Sequence, residues 1–271
     1  MNSEIREYKK SDLQILSKIF PPDWNFDFEK FVFQFNDRDF YKGFTLTANG
    51  KAIGFGNLMI FEKHAWLGNI VVDESYRKQG FGSKITKYLI GLGNENRVET
   101  FNLIATESGE HIYRKLGFEN EIIYDFYKAS GQNKKFEINY LIQQAGLVDL
   151  PNIIELDYSL TGEKREELIE SFILSCKLIF DNYSNLKGFL IENLGDGFII
   201  SNEAVFGIEL LKYKLNKNYK SIIIPENNIH AREFLIQNGF IKYKSATKMI
   251  RGKLYNWKPE CVFSRATGYC G

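Results

Sequence analysis

Cysteine is scarce in this chain: Cys176, Cys261 and Cys270 are the only ones in 271 residues. The number is odd and no two stand at metal-ligand spacing, so neither a disulfide framework nor a zinc cage is written here. A reducing cytosol is the expected compartment. Histidine is equally rare, with only His64, His111 and His230, which leaves little material for a metal site or a Cys–His nucleophile pair. Surface or packing roles are expected of all three, and no metal is expected. Only 5 prolines argue against a disordered or linker-rich chain. An excess of one charge is missing too: 35 Lys and Arg meet 34 Asp and Glu, for a net charge of +1. Up to Lys128 there are 17 basic and 18 acidic residues, which leaves 18 and 16 beyond. Neither half hides an imbalance, and bulk nucleic-acid binding is disfavoured. No apolar run reaches the ~18 residues a membrane span needs, and the charged first ten residues do not resemble an export signal.

What is present is core material, with 44% hydrophobic and 15% aromatic residues. The length fits about two domains at ~150 residues each. Strand and helix signals alternate throughout. Glu4 to Tyr8 reads as a strand, and apolar positions from Leu13 to Phe20 follow at helical spacing until Pro21-Pro22 stops them. A second amphipathic stretch runs from Phe26 to Phe35. Asn49-Gly50 sits between two apolar runs, the strongest short hairpin signal there is. Ala129 to Lys135 is short, polar and unpatterned, and makes the best linker. The cut there gives expected domains at 1–130 and 136–271, and the strand and helix rhythm repeats in the second.

The stretch that carries chemistry is Ile70 to Ser83. An apolar strand feeds a turn in which Arg77, Gly80 and Gly82 stand at R-x-x-G-x-G spacing just before a helix. Glycines there let backbone amides approach one anion closely, and the helix start adds partial positive charge. About 30 residues on, a strand leads into Glu110-His111-Ile112-Tyr113-Arg114-Lys115-Leu116-Gly117-Phe118, which places Tyr113 on a short helix ending at glycine.

In this order and spacing the two motifs resemble the GNAT superfamily of N-acetyltransferases, over about residues 4 to 128. The resemblance implies a mixed α/β fold, with two GNAT-like domains in tandem, each a twisted, mostly antiparallel sheet flanked by helices. It implies acetyl-CoA, or another acyl-CoA, as donor and an amine as acceptor, either a small molecule or a peptide. The pyrophosphate is expected on Arg77, Lys78, Gln79, Gly80, Phe81, Gly82 and Ser83. Asn69, Ile70, Val71 and Val72 are expected to splay and pair with the pantetheine arm. Tyr113 matches the tyrosine that protonates the departing thiolate in that superfamily, although the usual Asn and Ala before it are Thr106 and Gly109 here. Glu107 is the candidate base, with Glu62 and His64 less distinguished. Trp24, in the Pro21–Asn25 segment, and Asn69 are the candidate acceptor contacts. The alternative from another class is a protein that binds acyl-CoA without turning it over.

In the second half, Asn228 to Phe240 aligns with Thr106 to Phe118 and keeps the Asn and Ala, yet Leu235 replaces the tyrosine. Upstream, Ile200 to Gly207 has neither the arginine nor the paired glycines. This half resembles the degenerate second domain of tandem GNAT proteins. Leu156-Asp157 with Gly162 and Arg165, Thr247 to Gly252, and the closing Ala266 to Gly271 are further matches. Such a copy can serve as a lid, an acceptor-site wall or a platform.

Overall fold

The computed structural model describes residues 2–131, 134–219 and 221–270. Gln132 and Asn133 of the expected linker and Gly271 of the closing motif lie outside the described residues. In chain order the elements are β1 (Ser3–Glu7), α1 (Leu13–Leu16), α2 (Phe28–Phe35), β2 (Tyr41–Ala48), β3 (Lys51–Phe61), β4 (His64–Val72), α3 (Phe81–Glu95), β5 (Thr100–Ala105), α4 (Glu107–Lys115) and β6 (Glu119–Ala129). Then come β7 (Ile142–Gln144), α5 (Leu150–Thr161), α6 (Glu166–Ser171), β8 (Cys176–Phe180), β9 (Leu186–Ile191), β10 (Phe198–Ser201), α7 (Ala204–Asn216), β11 (Ser221–Pro225), α8 (Ile229–Gln237), β12 (Phe240–Gly252) and β13 (Val262–Ser264).

The chain forms two compact units that are interleaved along the sequence. One comprises the chain through Asn120 together with Met249–Lys253 and Gly268–Cys270; the other comprises Glu121–Lys248 and Leu254–Thr267. These units differ from the single boundary expected near residue 130. Strand pairing explains the difference, because β6 pairs with β11 from Tyr124↔Pro225 to Lys128↔Ser221 and so counts with the second unit.

In the first unit the sheet runs β1-β2-β3-β4-β5 and closes on the end of β12. Asn49 and Gly50 both have positive φ, at 49° and 79°, and join β2 to β3 by the two-residue turn that Asn-Gly favours. Strands β1 to β4 are antiparallel neighbours, while β4 and β5 are parallel. Helix α3 covers one face: a Cβ on Gly56 would lie 2.5 Å from Ile85 Cγ2, and Ile85 and Leu89 pack with Leu46, Leu58, Leu67 and Phe101. The opposite face carries α1, α2 and an aromatic cluster in which Phe28 packs edge-on against Phe55 at 4.9 Å between ring centres. Asp27 caps α2 by accepting from the Lys30 amide at 2.9 Å. The expected helix after Leu13 is much shorter than its apolar spacing, since by Lys18 the amide bonds turn back to the third residue before.

The end of β12 adds to the first unit beside β5. Lys253 N donates to the Glu99 carbonyl at 3.1 Å, and Thr100 Oγ1 donates to the Lys253 carbonyl at 2.7 Å. Gly252 makes the approach possible: its φ is +107°, and a Cβ there would stand 2.1 Å from the Glu99 carbonyl oxygen. In the second unit β12, β6 and β11 are neighbours, and a separate sheet runs β13-β10-β9-β8-β7. Its ion pair Asp157–Arg165, 2.6 Å at the closest atoms and fully buried, explains two of the spaced motif residues.

Gly252→Ala is expected to destabilise the chain by about 2 kcal/mol or more, because backbone, not a movable side chain, meets the new methyl group. Urea unfolding checks this, and an unchanged midpoint would contradict it.

Candidate active site

Strand β4 changes course in its middle. Its register with β3 runs from Phe61↔His64 to Asn57↔Gly68, then shifts, and resumes at Phe55↔Val71 and Gly54↔Val72. Asn69 and Ile70 therefore stand opposite Gly56 alone, a bulge on β4. Asn69 has φ +52°, in the left-handed region that Asn tolerates better than most residues. Its side chain donates to Asn57 Oδ1 at 2.9 Å, and Asn57 is completely buried. Among the described residues the parallel register of β4 with β5 covers His64↔Thr100, Ala65↔Phe101 and Trp66↔Asn102. Both strands continue beyond that point, β4 to Val72 and β5 to Ala105. The two strands part as a wedge with its apex near Gly68 and Asn69.

Strand β4 then delivers the chain into a tight turn. Asp73 Oδ1 accepts from the Ser75 amide at 2.9 Å, and Arg77 Nε reaches back to the Val72 carbonyl at 3.1 Å, which closes the turn on the strand end. Lys78 has φ +63° and Gly80 φ +83°. Gly80 is the N-cap of α3, and no side chain caps that helix. Lys84 N bonds to the Gly80 carbonyl at 3.0 Å, so the amides of Phe81, Gly82 and Ser83 precede the first intrahelical bond. No acidic residue occupies the first turn, and Lys84 Nζ is drawn away to Ser3 Oγ at 2.8 Å. Phe81 is buried and anchors the helix start, while Arg77, Lys78, Gln79 and Gly80 are exposed. A Cβ on Gly82 would make only an ordinary contact, 3.6 Å from Ile112 Cδ1, so the fold itself does not require glycine there. The open space and the uncapped amides fit a doubly charged pyrophosphate, and the wedge behind them fits an extended arm.

Tyr113 stands on α4, which follows β5. Its ring packs against the core beside Phe118, with ring centres 6.1 Å apart, and burial pushes its phenol up to about 12. The departure at Gly109 now has a physical sense, since a Cβ there would meet Tyr113 Cε2 at 2.9 Å. Glu107 is the first residue of α4 and is exposed. Trp24 is half-buried in the turn Pro22–Trp24, its ring 6.1 Å from that of Phe20, and belongs to the aromatic cluster on the face opposite α3. His64 begins β4 at the closed side of the wedge, and Glu62 lies in the preceding turn with φ +55°.

Comparison with known proteins agrees with this geometry. Residues 39–120 match the acetyltransferase (GNAT) domain family. Over 101 residues the chain is 32% identical to the [ribosomal protein bS18]-alanine N-acetyltransferase of Escherichia coli strain K12, which covers 36% of this chain and 68% of that protein. The chain belongs to the GNAT acetyltransferase family. Its fold is similar to that of a putative acetyltransferase from Pyrococcus horikoshii, with TM-score 0.84 and 19% identity over 99% of this chain and 96% of that one. It is also similar to a GCN5-related N-acetyltransferase from Sphaerobacter thermophilus, with TM-score 0.65 and 12% identity over 92% and 95% of the two chains. As a GNAT N-acetyltransferase it is an enzyme of acyl transfer, and acetyl-CoA is the family's cosubstrate.

The second unit has the same local order of strand, helix, strand and helix, from β10 to α8, without the donor features. The N-cap of α7 is Glu203, whose carboxylate pairs with Lys187 at 2.6 Å. Its side chain makes no cap bond to α7. Phe263 packs on the first turns of α7 at Gly207, where a Cβ would meet its ring at 2.3 Å. Leu235, which aligns with Tyr113 in sequence, is fully buried. Among the described residues no three His, Cys, Asp or Glu are grouped to hold a metal ion.

Asn57 escaped the sequence reading. The signal for it was a polar residue on an otherwise apolar inward row, Phe55, Asn57 and Met59. One acetyl-CoA per chain is expected by calorimetry, and Gly82→Trp, which fills the open space at the turn, should weaken binding at least tenfold. Two equivalent sites, or unchanged affinity in the variant, would contradict the assignment.

Proposed function

We propose that the chain transfers an acetyl group from acetyl-CoA to a primary amine by direct attack, in the wedge between β4 and β5. The observation that carries this reading is the pairing of the uncapped turn at Lys78–Ser83 with the bulge-opened strand β4. In this reading the amides from Lys78 to Ser83 hold the pyrophosphate, with Arg77 closing the turn. The edge of β4 from Asn69 to Val72 bonds the extended pantetheine arm, and this fixes the thioester near the apex. Bound there, acetyl-CoA supplies the activated acyl carbon.

The neutral amine nitrogen forms the new C–N bond as the C–S bond breaks, and the electron pair leaves on sulfur. Tyr113 donates its phenolic proton, or a hydrogen bond, to that thiolate. Glu107, exposed at the start of α4, takes the proton released by the amine, directly or through water. With its pKa held near 12, the phenol stays in its donor form through the working pH range. The second unit is assigned as a degenerate GNAT-like domain, in accord with the Phe263 ring packed on α7 at Gly207 and with Leu235.

The acceptor follows from the chemistry only as far as a primary amine. The Escherichia coli relative is by its name an N-acetyltransferase of alanine in ribosomal protein bS18, so a peptide bearing a free alanine amine is the first amine to test, beside a lysine peptide, glucosamine and spermidine. With whichever is accepted, Tyr113→Phe should lower kcat on the order of 10²-fold while acetyl-CoA affinity stays within about twofold, because the phenyl ring keeps the packing. A variant with wild-type kcat would make Tyr113 structural. The wild-type alkaline limb should not come from Tyr113 below about pH 11, since its phenol is raised from the ordinary 10 to about 12; a limb near pH 10 that disappears in Tyr113→Phe would overturn that.

A further inference from the structure

Part of the closing motif lies in the first unit. Gly268–Cys270 belongs to it, and the segment crosses β4 directly at Gly68: a Cβ on Gly68 would lie 2.2 Å from Tyr269 Cβ and 3.0 Å from Tyr269 Cα. Gly68 is thus glycine because backbone from the far end of the chain rests on it. It is paired with Asn57, and it stands two residues past Trp66↔Asn102 and one before the bulge at Asn69. The crossing point is the apex of the wedge.

Which face the tail covers follows from side-chain alternation. Gly54 and Gly56 face Ile85 of α3, so Phe55 and Asn57 face the other way, and Gly68 with them. On that opposite face the Tyr269 ring packs on Phe31 at 4.8 Å, Phe35 at 5.9 Å and Phe26 at 6.4 Å between centres. Beneath it lies the Asn57 side-chain amide. Its oxygen accepts from Asn69, and its nitrogen is buried with no hydrogen-bond partner in the protein. The donor turn stands at the start of α3, so an arm running from it toward the apex brings the thioester to Gly68 and Asn69. An amine that meets the thioester from the face opposite α3 passes beside Tyr269.

We propose that Tyr269 is a specificity-determining residue that walls the acceptor side of the apex, limiting the size of the amine and excluding water from the thioester. This rests on the acyl-transfer reading of the wedge. It gives the closing motif a task in the first unit's chemistry, and it makes that site a product of both ends of the chain.

The test uses the full chain with Tyr269→Ala, Tyr269→Leu and Tyr269→Phe, each checked for a folded state by thermal unfolding. Two acceptors are compared, peptides that differ only in an N-terminal alanine or tryptophan, and release of CoA from acetyl-CoA is also followed without amine. Both truncating variants should shift the ratio of kcat/KM toward the tryptophan peptide by at least tenfold, and should raise hydrolysis in water several-fold. Tyr269→Phe should match wild type in both, and acetyl-CoA affinity should be unchanged in all. Should Tyr269→Ala not fold, the leucine variant carries the comparison. An unchanged ratio and unchanged hydrolysis in a folded truncating variant would overturn the proposal. If wild type binds acetyl-CoA and acetylates neither peptide nor any other amine tested, the acyl-transfer reading fails for those acceptors, and hydrolysis alone decides the wall: a rise supports it and no rise overturns it.

Discussion

The site depends on one local conflict in strand β4. A strand bonded along both edges has no room for a ligand, and a strand bonded along neither has no fixed position. The bulge at Asn69 resolves this by keeping β4 paired with β3 on both sides of the irregularity while β5 departs after Asn102. A left-handed residue in mid-strand is unfavourable for most side chains. Here the residue is asparagine, which tolerates that region better than most side chains, and its amide is tied to buried Asn57. The turn at Lys78–Gly80 and the uncapped start of α3 extend the same edge, so the proposed anion site and the wedge are parts of one continuous strand-to-helix connection.

The interleaving of the two units bears on what the second half contributes. Residues 249–253 and 268–270 complete the first unit's sheet and its covered face, so the C-terminal half supplies parts of the first unit whatever its own ligands. The proposed degeneracy of the second unit is chemically coherent. An aromatic ring at Gly207 and leucine in place of the phenol each remove a different requirement of acyl-CoA chemistry.

Local chemistry made part of this legible in advance. Asn49-Gly50 specifies its turn through two positive φ angles, Gly80 with its positive φ specifies the turn into α3, and Tyr113 is placed by a strand before it and Gly117 after it. What was not legible is non-local. Nothing around Gly252 states that Glu99 lies 2.1 Å from its missing Cβ, and nothing around Gly68 announces Tyr269. The cut near residue 130 followed composition, which is blind to β6 pairing with β11 across about 100 residues of chain. The Leu13–Phe20 periodicity overstated α1, because apolar spacing reports which side is buried and not how far the helical bonds persist.

A crystal structure of the full chain with CoA bound is the most direct measurement of the central claim. The account predicts pyrophosphate oxygens at about 3 Å from backbone amides between Lys78 and Ser83, the pantetheine arm bonded to the free edge of β4 between β4 and β5, and the sulfur beside Asn69 with the Tyr113 phenol facing it. Pyrophosphate at the start of α7, or a sulfur on the far side of β5 from Asn69, would contradict it.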